Sequence, residues 1–294
     1  MGHWKRYIIV AAVLLTLQGT AVAQITVIRY LPAETADDTR QIYPLKLLKL
    51  ALAKMDADVR LVPSPFLMTQ SRALAELMES NSVDVVWSAT TRQREQEWLP
   101  IRIPIYKGLL GYRVFLYKPA PLDRHLASLP LAELKQIQMI QGHDWPDIDI
   151  LKYNHFTTLA TANYDASFRM LALDRVQLYP RSVAEILDEW QQYKGFGLAI
   201  EPGLMLRYTM PEYFFVSRDH AELQQLIETG LRKAIADGSF DAMFNQYWQE
   251  KIAPLHLEQR RVIELKNPLL PDFLPDRQSG LWYQLPQLQT EDGS

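Results

Sequence analysis

Ser88, Thr90 and Thr91 are followed at once by Arg92 and Arg94. Hydroxyls are compact hydrogen-bonding groups, and arginine offers a planar fork that matches a carboxylate or phosphate through two parallel bonds. This polar cluster emerges from residues 83–87, an apolar, β-branched run that reads as a strand buried on both faces. In open α/β sheets, small ligands sit outside the carboxyl ends of the strands. The residue types and their order therefore point to a pocket for a small anionic or zwitterionic molecule. Trp87, one residue before the hydroxyls, is placed to floor it. Tyr30 and Glu34 follow the first strand and are candidates for the same rim. Gly142 could let the backbone approach a ligand closely, with His143 and Trp145 beside it. Arg181 is a further candidate.

Catalytic signatures are missing. The chain has no H-E-x-x-H, G-x-S-x-G, G-x-x-x-x-G-K-[ST] or C-x-x-C, and Gly195-Phe196-Gly197 lacks the third glycine of a dinucleotide loop. Its six histidines fall without ligand spacing, so no metal and no cofactor is expected. Asp144 and Asp147 near His143 are the residues that acid–base work would draw on. A binding protein is the first expectation. An enzyme of dehydratase or hydrolase type, acting in the same cleft, is the alternative.

Several elements must position these groups. Residues 25–30 alternate as a first strand. Residues 43–55 carry Leu45, Leu48, Leu52 and Met55 at helical spacing. A strand at 58–62 and a helix at 71–79, capped by Thr69 or Ser71, lead to the strand at 83–87. This β-α-β-α-β order argues for a parallel sheet wound with helices. Residues 111–117 read as a strand crossing into a second α/β unit. That unit has a short helix at 131–134 and a strand at 136–140. A helix at 165–173, a strand at 176–179 and a helix from Ser182 to 189 complete it, before short β runs at 197–200 and 213–216. Helices at 219–237 and 240–250 follow, joined at Gly238, which can close the first. Phe240, Met243, Phe244 and Tyr247 form an apolar stripe expected in the core. Beyond Pro254 the Pro-rich tail is expected to pack in extended form.

The first residues set the compartment. Lys5 and Arg6 precede the apolar run 7–17 and the small triplet Ala21-Val22-Ala23. These read as a secretory signal peptide over 1–23. The chain has no cysteine, hence no disulfide and no thiol after the signal to carry a lipid. An exported chain with neither anchor fits the Gram-negative periplasm. The formal net charge of −3 becomes more acidic once Lys5 and Arg6 are removed, which disfavours nucleic acid as a partner. Nothing after residue 24 is long and apolar enough to insert into a membrane.

The order of elements and several local sequences resemble the periplasmic solute-binding proteins of the polar-amino-acid class, family 3, over about residues 25–252. The carriers are Val83-Asp84-Val85 with Thr91-Arg92-Gln93-Arg94, the segment Ile103-Pro104-Ile105-Tyr106, the strand 112–117, and Asp237-Gly238-Ser239-Phe240 between the last two helices. The resemblance implies a type II periplasmic-binding-protein fold, with two Rossmann-like α/β lobes joined by a two-strand hinge and a ligand in the cleft. Lobe 1 would comprise 25–115 and 215–294, and lobe 2 would comprise 116–214. It also implies that Arg94 clamps a ligand carboxylate, with Thr90 and Thr91 as hydroxyl donors. The implied partners are a small polar solute and an inner-membrane ABC permease or sensor, the protein itself acting as a monomer. The chain departs from the family where an Asp usually holds the ligand's amino group: Ser182 stands there, Arg181 is beside it and Glu185 is one turn on.

Overall fold

A computed structural model describes residues 26–33, 38–55, 58–79, 82–119, 125–277 and 279–285. The expected signal peptide and Glu34 lie outside these residues. The first α/β unit begins with β1 (Thr26–Tyr30), α1 (Ile42–Ala53), β2 (Val59–Pro63), α2 (Gln70–Glu79), β3 (Val86–Ala89), α3 (Arg92–Glu97) and β4 (Leu99–Ile101). The second holds β5 (Tyr112–Tyr117), α4 (Leu131–Leu134), β6 (Met139–Gly142), α5 (Pro146–Tyr153), β7 (Thr158–Thr161) and α6 (Tyr164–Ala172). It continues with β8 (Leu178–Ser182), α7 (Ile186–Tyr193), β9 (Ala199–Ile200) and β10 (Leu204–Arg207). The chain then returns through β11 (Glu212–Val216), α8 (Ala221–Ala236) and α9 (Ser239–Ile252), and ends its regular structure at β12 (Arg261–Glu264).

These strands form two layers, the first built from a two-stranded and a three-stranded sheet. In the first, β2 pairs parallel with β1, and a parallel bridge from Tyr30 to Val85 carries the layer on to β3. There β11 runs antiparallel between β3 and β4, with Phe214 opposite both Trp87 and Ile101. In the second layer the order is β12-β10-β5-β8-β6-β7, with β9 also on β5. Every residue of β3, β8 and β11 is buried, including the polar Ser88, Arg181, Ser182 and Glu212, so both faces of these strands are covered.

Helix packing follows from the 3.6-residue period. Helix α1 buries Tyr43, Leu47, Leu48, Ala51 and Leu52 and packs along α8, with Tyr43 against Trp248 of α9. A Cβ on Gly230 of α8 would lie 2.1 Å from the Ala51 carbonyl oxygen, so glycine at this point sets how closely the two helices approach. The expected stripe on α9 is core, with Phe240, Phe244 and Trp248 almost fully buried and Met243 and Tyr247 partly so.

Several expectations need correction. The strand at 111–117 does not cross between layers but lies wholly in the second, from Tyr112. The strand expected at 176–179 runs instead over Leu178–Ser182, which places Arg181 and Ser182 inside a buried strand; the helix begins only at Ile186. The Pro-rich tail, assigned to lobe 1 as a whole, first adds β12 to the second layer. There Leu204–Arg207 pairs in parallel with Arg261–Glu264, and Ile263 is buried. Only after that does the tail return to the first unit, where the Arg92 amide donates to the Leu269 carbonyl at 2.8 Å and the Tyr283 amide to that of Lys107 at 2.7 Å. The chain thus passes between the two units after β4, after β10, after α9 and again after β12.

Candidate functional site

The two layers face each other across a cavity of about 130 Å³. Its first wall comes from Leu31, Arg40, Gln41, Gln70, Trp87 and Ala89. The crossings supply Tyr106, Leu110, Met210 and Glu212, with Arg113 from the start of β5. The opposite wall comes from residues 142–147, Tyr164, Tyr179, Arg181 and Glu185. The walls are drawn together by direct contacts. Ser71 Oγ donates to Asp144 Oδ2 at 3.0 Å, and Thr39 Oγ1 donates to Asp188 Oδ2 at 2.8 Å. Lys251 Nζ reaches the same Asp188 oxygen at 2.5 Å.

Most charges lining the cavity are matched inside the protein. Arg113 pairs with Asp147 at 2.8 Å and stands 3.6 Å from Glu185. Asp147 also accepts from the Tyr208 hydroxyl. Arg181 pairs with Glu185 at 3.0 Å and bonds Glu189 through both Nε and Nη2. Its guanidinium stacks 4.7 Å from the Trp145 ring. Burial works against the charge on Arg181, but Glu185 and Glu189 hold its pKa well above the ordinary value. Arg40 pairs with Asp38 at 2.8 Å and covers the Tyr164 ring at 4.2 Å. Buried pairs of this kind satisfy each other, and breaking one typically costs about 3–5 kcal/mol.

Two groups are left over. Arg94 projects from α3, whose N-cap is Thr91. Its guanidinium donates to Ser88 Oγ, to the Ala89 carbonyl at 2.7 Å and, across the gap, to the Asp144 carbonyl at 3.4 Å. It forms no ion pair with a carboxylate among the described residues. Burial lowers its pKa, and Asp144 and Glu212 oppose that effect. Glu212 opens β11 directly opposite Ala89, whose carbonyl Arg94 holds. It is 9 % exposed, and its carboxyl has neither a hydrogen bond nor an ion pair among the described residues. Burial and the neighbouring Glu185 push its pKa up to about 8.

The residues singled out from the sequence divide accordingly. Trp87, Gly142, His143, Trp145 and Arg181 all line the cavity. Arg94 and Thr91 line an adjoining groove that shares His143, Asp144, Trp145 and Pro146 with it. The hydroxyls of Thr90 and Thr91 are committed to the turn rather than to the cavity: Thr90 Oγ1 donates to Glu95 at 2.7 Å, and Thr91 Oγ1 accepts from the Arg94 amide at 3.1 Å. Tyr30 does not line the cavity; it stacks behind Trp87, with ring centroids 6.2 Å apart. The space above Gly142 is filled by Trp145, since a Cβ there would lie 2.7 Å from the indole. Glycine at 142 makes room for that tryptophan. Arg92 is exposed and donates to the Leu270 carbonyl and to Asp272 in the tail.

Arg113 and Glu212 escaped the sequence reading, although a signal existed. Each is a single charge in an otherwise apolar β run, Tyr112-Arg113-Val114-Phe115 and Glu212-Tyr213-Phe214-Phe215. A charge in such a run must find a partner or face a cavity. Among the described residues no cluster of His, Asp and Glu could hold a metal ion, and no helix is long and apolar enough to cross a membrane.

No protein-family profile matches the chain, and no curated protein does. Solved structures do. An ancestral arginine-binding protein bound to arginine superposes with a TM-score of 0.57 at 17 % identity, over 76 % of this chain and 98 % of that one. The VFT2 domain of Bordetella pertussis BvgS gives 0.59 at 15 %, over 76 % of this chain and 93 % of that one. A structure described for glutathione import through GshT and the cystine ABC importer TcyBC of Streptococcus mutans gives 0.58 at 11 %, covering 77 % and 96 %. At these identities the likeness establishes the fold. The chain has the two-lobed α/β fold of type II periplasmic binding proteins, with its cavity in the cleft between the lobes.

Proposed function

We propose that this chain is an exported solute-binding protein of the polar-amino-acid class, which closes on a small polar solute and presents it to an inner-membrane ABC permease or a sensor in the periplasm. The observation that carries this reading is Arg94. A guanidinium on the rim of β3, reaching both lobes and lacking a carboxylate partner among the described residues, is a half-buried charge in want of an anion. A solute carboxylate would supply it and would hold the lobes together. Trp87 and Trp145 then pack the body of the solute.

The test is a thermal-shift screen of amino acids, short peptides and small organic acids. At a hundredfold excess over Kd, a bound solute stabilises by about 2.7 kcal/mol. Arg94→Ala should melt like the unliganded wild type and lose that response, because a charge-assisted hydrogen bond to the anion is removed. A full response in the variant would remove Arg94 from the site.

A second reading rests on Glu212. A carboxyl whose pKa sits near neutrality inside a closed cleft is equipped for proton transfer. Incubating the protein with its solute and recovering the molecule distinguishes the two: unaltered solute supports binding, and conversion supports an enzyme.

A further inference from the structure

Once the internal pairs are set aside, Glu212 in the cavity and Arg94 in the adjoining groove remain without an ion-pair partner among the described residues. Glu212 and Ala89 are opposed across β11 and β3, and Arg94 holds the Ala89 carbonyl. Side chains so opposed lie about 5 Å apart at Cβ. Other groups face Glu212 from every side: Arg94 from α3, Arg113 from β5, Arg40 from ahead of α1, Glu185 from the head of α7, and Tyr106 from the first crossing. Arg113 and Arg40 already have carboxylates, in Asp147 and Asp38. Gln41 adds a buried Oε1 to the same cavity, also without a hydrogen-bond partner.

We propose that Glu212, on the strand returning from the second lobe, is the acceptor for a cationic nitrogen of the solute, and that capturing this nitrogen expels the proton Glu212 carries in the empty cleft. The assignment rests on the solute-binding reading and narrows its substrate class to molecules bearing a carboxylate and a protonated amine a few bonds apart. It also supplies what Ser182 cannot, since the Ser182 hydroxyl is spent on the Leu109 carbonyl and the Ala184 amide.

The balance of the step is simple. The empty cleft holds Glu212 as a neutral acid, because burial and Glu185 disfavour a second negative charge. An incoming ammonium favours the carboxylate, the O–H bond of Glu212 breaks, and the proton leaves to solvent. Capture therefore tightens as pH rises towards about 8, where the empty site gives up its proton unaided, and levels off above it. With a full proton released, affinity gains about tenfold per pH unit below that point.

The experiment is binding calorimetry and thermal shift on the full chain. The probes are the protein L-α-amino acids and α-hydroxy acids of matching side chain, such as L-lactate for L-alanine and L-malate for L-aspartate. Titrations in two buffers of different ionisation enthalpy count the protons released. The expected result is capture of one or more amino acids with proton release. The matching hydroxy acid should bind more than tenfold more weakly, and Glu212→Gln should lose both the proton release and the pH slope. Hydroxy acids bound as tightly as their amino counterparts, or a slope that survives in Glu212→Gln, would overturn the assignment and leave the solute-binding reading standing. The wild-type slope needs no variant, so its absence alone also decides against Glu212. If neither class binds, the Glu212 assignment fails, and the solute-binding reading fails with it when short peptides and the remaining organic acids give no thermal shift either.

Discussion

Arg94 and Glu212 show opposite responses to burial. The guanidinium keeps its charge by borrowing the Ser88 hydroxyl and two carbonyls. The carboxyl has nothing to borrow and holds its proton instead. This has a consequence for the empty protein. The folded state binds that proton more tightly than the unfolded chain, whose carboxyl has an ordinary value near 4.5. The stabilising effect is full below that value and is lost as pH climbs through about 8. The melting temperature of the unliganded wild type should therefore fall across this interval relative to Glu212→Gln, which cannot titrate there. Parallel melting curves at every pH would show that Glu212 is ionised in the empty fold.

Among the elements, α1 and α8 make the tightest contact argued above. Gly230→Ala would press a methyl group into the Ala51 carbonyl at 2.1 Å, and backbone cannot rotate away as a side chain can. Overpacking of this kind costs about 1–3 kcal/mol, so the variant should melt several degrees lower with its solute affinity little changed. Strong periodicity made this part of the fold legible in the sequence. The β-α-β-α-β order, α1, α2, α8 and α9 were all read, because each carries an apolar stripe or a β-branched run. Helix α5 was missed, since His143-Asp144-Trp145-Pro146-Asp147 looks like a turn, although Pro at the first helical position is itself a start signal. Strand β12 was hidden inside a Pro-rich stretch, and only its pairing with β10 reveals it. Trp87 and Arg181, singled out by residue type, do line the cavity, though Arg181 is spent on Glu185 and Glu189. The site was illegible where burial arises from chain crossings, as with Glu212.

At the scale of the molecule, closure is held by contacts that are individually weak. Asp188, the shared acceptor of Thr39 and Lys251, is part-exposed, and exposed pairs are worth about 0–1 kcal/mol. A solute bridging the lobes can therefore dominate the balance between shut and open. The tail contributes in two stages. Removing everything after Ile252 would strip β12 from β10 and leave an unpaired edge whose Leu204, Met205 and Leu206 side chains are almost fully buried in the intact fold. That variant should elute from size-exclusion chromatography as larger species. A chain ending at Glu264 keeps the strand but loses the Leu269–Arg92 and Tyr283–Lys107 ties, and should run as the full chain does while melting lower.

The threading of the backbone also governs when the protein can become itself. The first lobe is unfinished until α8 and α9 have been made, and the second lacks its border strand until residue 264 has joined it. Neither half is one uninterrupted stretch, so each layer waits for strands made far downstream before its full set is paired.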